Sequence, residues 1–165
     1  MQQLTALYVR YTGEEPASIA QIPGAGSNRQ YFRFVGNNGE SIVGVIGTSR
    51  DENHAFIYLD RHFMLRRLPV PRVLAVSDDE LRYLQTDLGH TSLYDAIRGG
   101  REAGGRYNQK EQQLLVSAIR ELPNFQMRGA RGLDWNNCYP QPEFDEESVL
   151  FDLNYFKYCF LKATG

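Results

Sequence analysis

Lysine is scarce in this chain. Of its 165 residues only Lys110, Lys157 and Lys162 are lysines, and the first two-thirds has none. Any cationic role there falls to arginine. No block of basic residues appears, net charge is −2 and the pI is about 5.9, which argues against a nucleic-acid surface. The two cysteines, Cys138 and Cys159, form no C-x-x-C pair, so a zinc or redox motif is not supported and reduced thiols are expected. No apolar run reaches the length of a membrane span. The opening "MQQLTALYVRYTGEE" has no long apolar core and no small-residue cleavage site. Together these readings predict a soluble, cytoplasmic protein with no nucleic-acid or membrane partner. His54 and His62 lie two helical turns apart without a carboxylate or thiol to complete a ligand set, so no metal site is expected and surface or half-buried histidines are. No Walker loop and no G-x-S-x-G elbow occurs.

What is present suffices for a core, since 42% of the residues are hydrophobic. "LTALYVRYTG" predicts a short helix with Leu4, Leu7, Tyr8 and Tyr11 on one face and Gly13 as its stop. "SIAQI", "RQYFRFV" and "SIVGVIG" predict three strands, the second alternating Phe32 and Phe34 against Tyr31 and Arg33. "GNNG" at 36–39 is a hairpin turn. Ser49 and Glu52 form a capping-box pattern ahead of a helix with Phe56, Leu59, Phe63 and Met64 as its buried stripe. Arg61 and the "RRL" at 66–68 complement that helix's C-terminal dipole. Pro69 and Pro71 end it, and two further strands flank the "DD" turn at 78–79.

Beyond Thr86 the pattern turns helical. Thr91 is the expected cap of a short helix, and "REAGGRY" is loose. Asn108 and Glu111 cap a helix whose buried side is predicted as Leu114, Leu115, Ala118, Ile119 and Leu122. An irregular stretch over 126–144 carries Trp135 and Tyr139, which could stack on a sugar ring or simply pack. A final helix has Val149, Leu153, Phe156 and Phe160 in register, with Glu143, Asp145, Glu146 and Glu147 at its acidic start.

"PGAGSNRQYFRF" at 23–34 is a short glycine-rich turn running into an aromatic, alternating stretch. Arg29 stands where a dinucleotide fingerprint needs its third glycine, and a strand follows rather than a helix. Locally the loop reads best as a hairpin tip. A glycine-rich hairpin turn over nucleotide phosphates is the other reading, because glycine lets backbone N–H groups come close.

The succession "GSNRQYFRF", "SIVGVIG", a helix into "PVPRVL", then "LRYLQTDLGHTSLYDAI" resembles the aminoglycoside phosphotransferase/choline kinase-like superfamily, closest to bacterial kinases of N-acetylmuramate and N-acetylglucosamine. The resemblance covers nearly the whole chain and implies an α+β, protein-kinase-like N-lobe over 1–86, then a hinge and the first helices of a C-lobe over 87–165. It implies ATP-dependent phosphoryl transfer to a hydroxyl of a small molecule, a sugar by the closest branch. Gly24, Gly26, Ser27, Asn28 and Arg29 would then cover the phosphates. Val43, Val45 and Leu84 would contact adenine, and the backbone of Gln85, Thr86 and Asp87 would hold its edge. Read this way, the element order reverses the local preference for a plain turn.

Two departures qualify the match. The third strand has no lysine to pair with a glutamate of the next helix, which leaves Arg29 or Arg50 to supply the charge. No H-x-D-x-x-x-x-N segment is present, so catalytic residues are expected outside this chain, Mg²⁺ binding only in a longer protein, and no turnover from these residues alone. The resemblance thus describes the N-terminal portion of an enzyme, with an uncovered apolar helix at 145–165 that invites self-association. The alternative is a kinase-derived module that binds nucleotide or a partner without chemistry. An unrelated α+β domain is the third reading.

Overall fold

A computed structural model describes residues 1–24 and 28–163. Two compact units divide the chain, Met1–Leu133 and Asp134–Gly165. The boundary anticipated at Thr86/Asp87 lies inside the first. The fold is α+β around a five-stranded antiparallel sheet, as the alternating patterns predict.

Helix α1 (Gln2–Thr12) stops where Gly13 turns left-handed (φ 81°) and donates its N–H to the Val9 carbonyl at 2.8 Å. A side chain there would strain the backbone. Leu4, Leu7 and Tyr8 are buried, but Tyr11 is exposed, because packing of the helix onto the core ends at Val9.

Strands β1 (Ser18–Ile22), β2 (Gln30–Val35) and β3 (Ser41–Ile46) form a meander. Its second turn closes through Gly36 N–H to the Glu40 carbonyl at 2.9 Å, with Gly39 at φ 80°. Helix α2 (Arg50–Leu65) follows, then β4 (Val73–Val76) and β5 (Arg82–Thr86). The order across the sheet is β1-β2-β3-β5-β4, so β5 inserts between β3 and β4.

Strand periodicity assigns side chains to two faces. Phe32, Phe34 and Leu84 join Leu4, Leu7 and Tyr8 beneath α1. Tyr8 and Phe34 stack with centroids 5.0 Å apart. Gly44 of β3 lies on this face, where a Cβ would come within 2.6 Å of the Phe34 ring. Val43, Val45 and Tyr83 point the other way, against Phe56 of α2, Tyr31, Ile22, Val73 and Val76.

The stripe that α2 buries differs from the expected one. Ser49 caps it by accepting from Glu52 N–H at 3.2 Å. The buried residues are Asn53, Ala55, Ile57, Asp60 and His62, whereas Phe56, Leu59 and Phe63 are half-buried and Met64 is exposed. Polar anchors rotate the helix: Asn53 Nδ2 donates to the Glu80 carbonyl at 2.8 Å, and Asp60 Oδ2 accepts from Val73 N–H at 2.9 Å. His62, expected at or near the surface, is buried and donates from Nε2 to the Gly129 carbonyl at 2.7 Å.

Ser92, not Thr91, caps the short helix α3 (Leu93–Ala96), and α4 (Arg98–Glu102) winds part of the stretch expected to be loose. Helix α5 (Gln109–Pro123) has the full capping box at Asn108 and Glu111. Glu111 is buried because its carboxylate also accepts from Gly100 N–H at 2.9 Å. Leu114 and Leu115 are half-buried, and Ala118, Ile119 and Leu122 are exposed rather than buried. A π-helical turn, Asn124–Gly129, closes the first unit against the end of α2.

In the second unit, α6 (Glu146–Tyr155) continues into a π-helical turn, Phe156–Leu161. Asp145 caps α6 by accepting from Ser148 N–H at 2.9 Å. None of its side chains is buried, and Phe151 is 69% exposed. The apolar surface expected there is present. No described helix is long and apolar enough to cross a membrane.

Candidate functional site at the second face of the sheet

Arg29 leads from the glycine-rich loop into β2 and lies on the start of α2. Its guanidinium pairs with the Glu52 carboxylate at 3.2 Å and donates to the Glu52 carbonyl at 3.2 Å. It also sits over the Phe56 ring, 5.2 Å from the centroid, and Phe56 stacks on Tyr83 at 5.1 Å. A cation, two aromatic rings and a carboxylate thus form one column between helix and sheet. The Arg29 side chain is 12% exposed and that of Glu52 36%, so the cation is sheltered while solvent screens the pair from the carboxylate side. Arg50, the other candidate cation, points elsewhere, to Glu80 at 3.1 Å, with 68% of its side chain exposed.

The remaining loop residues divide. Gly24 is exposed, with nothing near the place a Cβ would occupy, and Asn28 is exposed too. Gly26 and Ser27 lie outside the described residues.

Only part of the expected adenine contact is brought together. Val43 and Val45 share the α2 face, but Val45 is fully buried. Leu84 faces the opposite side and is sealed under α1, so it cannot touch a ligand that Val43 touches. Register decides this, because Gly44 pairs with Leu84 while Val43 pairs with Gln85. The residues of β5 on that face are Gln85 and Tyr83, the second of which sequence reasoning passed over. Its parity relative to Val45 was the available signal.

The segment expected to act as a hinge is also more committed than expected. Thr86 N–H donates to the Arg72 carbonyl at 3.0 Å and its hydroxyl accepts from Arg72 N–H at 2.9 Å, which removes that amide from any ligand. Asp87 is held on two oxygens by Arg33, and accepts from Ser41 at 2.7 Å and from Gly89 N–H at 2.9 Å. Arg33 further donates to the Gly89 carbonyl at 2.8 Å and to His90 Nδ1 at 2.9 Å. The Arg33 hydrogen bonds hold the Asp87 carboxyl well below the usual carboxylate range. Asp87 is therefore a clasp that ties the chain after β5 to β2 and β3.

Several buried polar atoms on this face have no hydrogen-bond partner among the described residues: the Tyr83 hydroxyl, Gln85 Oε1, Asp60 Oδ1 and Asn53 Oδ1. Burial pushes both the Tyr83 phenol and the Asp60 carboxyl up. Such groups cost stability and concentrate where a ligand completes them. Among the described residues no three His, Cys, Asp or Glu side chains converge on a metal position.

No family model matches the chain, and no curated protein matches it.

Proposed function

We propose that the chain is the nucleotide-binding portion of a small-molecule kinase, a protein-kinase-like N-lobe followed by its hinge, acting on a hydroxyl acceptor of the sugar class. The observation that carries this is the Arg29–Glu52 pair on the α2 face. Kinase-like lobes use a cation held by a carboxylate of the helix after the third strand to grip α/β-phosphates. Here the third strand has no cation, and an arginine from the glycine loop meets the carboxylate of that helix instead. The order of elements supports the same reading, with three antiparallel strands, a helix and two further strands leading to the Asp87 clasp. In this role Glu52 orients the guanidinium, Arg29 neutralises phosphate charge, and Gly24 leaves the backbone approachable. The acceptor hydroxyl would gain the γ-phosphoryl group and lose its proton, while ADP leaves.

Calorimetric titration of ATP tests it. Saturable binding is expected, weakened about tenfold or more by Arg29→Ala and by Glu52→Gln. ATP affinity unchanged in Arg29→Ala, or no binding at all, would sink the proposal. The closure of Val45, Tyr83 and the Thr86 amide favours a second reading, a kinase-derived module without chemistry. Nucleotide binding indifferent to Mg²⁺ would mark that module.

A further inference from the structure

Away from this face, the end of α2 and the end of the π-helical turn at Asn124–Gly129 meet along a cleft of about 290 Å³ lined by Leu65, Arg66, Arg67, Arg128 and Arg131. Four of the five lining residues are arginines, in a chain whose net charge is −2. The helix dipole accounts for Arg66 and Arg67 at a C-terminus. It does not account for Arg128 and Arg131, which arrive from more than sixty residues away.

The cleft is held by bonds to neutral groups. Arg66 donates from Nε to the Arg131 carbonyl at 2.8 Å, again from Nη2 to the same oxygen, and from Nη1 to the His62 carbonyl at 3.0 Å. Arg128 donates to the Arg66 carbonyl, and the buried His62–Gly129 bond locks the two segments together. Carbonyls fix geometry but leave the positive charge intact. Among the described residues none of the four arginines forms an ion pair, and the guanidiniums of Arg67 and Arg131 make no hydrogen bond. Both side chains belong to exposed residues.

Arg67 adopts φ 55° as the left-handed residue that ends α2, its N–H on the Met64 carbonyl at 2.9 Å and the Leu68 N–H on the Phe63 carbonyl at 3.1 Å. Gly132, also left-handed at φ 64°, leaves the Arg66 guanidinium 3.2 Å from where a Cβ would stand. Exposed Leu65, at 77%, forms the apolar lip.

We propose that this cleft is a binding site for a multivalent phosphoryl anion, a diphosphate or phosphate ester small enough for the Arg67 and Arg131 forks to grip. Guanidinium matches phosphate with two parallel hydrogen bonds, and uncompensated arginines at fixed spacing favour more than one negative charge. The site does not depend on Arg29 or on the nucleotide reading.

Inorganic pyrophosphate is the probe, followed by NMR shifts or calorimetry on the chain at low and at physiological salt. Saturable binding that weakens with salt is expected. The Arg67→Ala/Arg131→Ala double variant should lose about tenfold or more in affinity. Arg29→Ala should leave pyrophosphate binding at this cleft, mapped by the shifted signals, unchanged. Thermal melts check that the double variant folds, and Arg131→Glu alone gives the same test should it not. No binding, or an equal loss of affinity in an Arg10→Ala control, would overturn the proposal. A phosphoserine peptide bound more tightly than pyrophosphate would do so too, because it would make the ligand a protein segment.

Discussion

Leu4, Leu7, Phe32, Phe34 and Leu84 meet on the α1 side of the sheet with little more than the Tyr8 hydroxyl among them. On the α2 side, Val43 and Val45 share their space with Tyr83, Gln85, Asn53, Asp60 and the Arg29–Glu52 pair. The first side needs only size and shape to cohere, so its stability comes from area removed from water. The second keeps polar atoms in the dry interior, several with nothing yet to bond. A fold tolerates such a cost where the groups do something else.

The comparison can be broken at three positions of decreasing effect. Phe34→Ala should remove about 3–5 kcal/mol, since the ring is fully buried and stacked on Tyr8. Urea denaturation reads this directly, and a loss near 1 kcal/mol would deny the α1 side its role as the main core. Asp87→Asn should cost about 2–3 kcal/mol, because the carboxylate is 5% exposed and Arg33 keeps other acceptors. Its sign with pH follows from the lowered pKa, caused first by the Arg33 bond. The clasp stabilises above the unfolded carboxylate value, about 3.9, and that contribution drains away as pH falls through the folded value. The wild type should lose stability on acidification, and the Asn variant should lose less.

Asp60→Asn should have the smallest effect at neutral pH, within about 0.5 kcal/mol, since an amide oxygen can still accept from Val73. Here the sign reverses. Burial raises the Asp60 pKa, so the charged form is the costly one when folded. Stability is lowest above the folded value and rises as pH falls through it toward the unfolded value. Melting temperatures across pH should show this local gain in the wild type and its absence in the variant. A gain that persists in Asp60→Asn would assign the titration to another group.

The sheet was largely legible. "SIAQI" is β1 residue for residue, and Phe32/Phe34 against Tyr31/Arg33 is the alternation observed. Ser49, Asn108 and Gly13 end their helices for the local reasons that make those residue types useful. The buried stripe of α2 was not legible, because Asn53, Asp60 and His62 look like surface residues until Glu80, Val73 and Gly129 are placed beside them. Leu84 looked like an adenine contact because hydrophobicity is visible in a sequence and register is not. Arg33 and Asp87, 54 residues apart, and the arginines of the α2 cleft carry no local pattern at all. Arg29 meets Glu52, a residue that the sequence marks only as part of a helix cap.

The insertion of β5 between β3 and β4 sets a timetable for the chain. The β1–β2–β3 meander and the β4–β5 hairpin each close short loops, so each can collapse early with little loss of chain entropy. Joining them demands that β3 find β5 across the whole of α2, the longest closure in the sheet, and Asn53 and Asp60 of α2 tie that helix to the β4–β5 hairpin. By contact order the expected slow step is the pairing of β3 with β5, where polar side chains of the second face, rather than the aromatic ones beneath α1, join helix to hairpin.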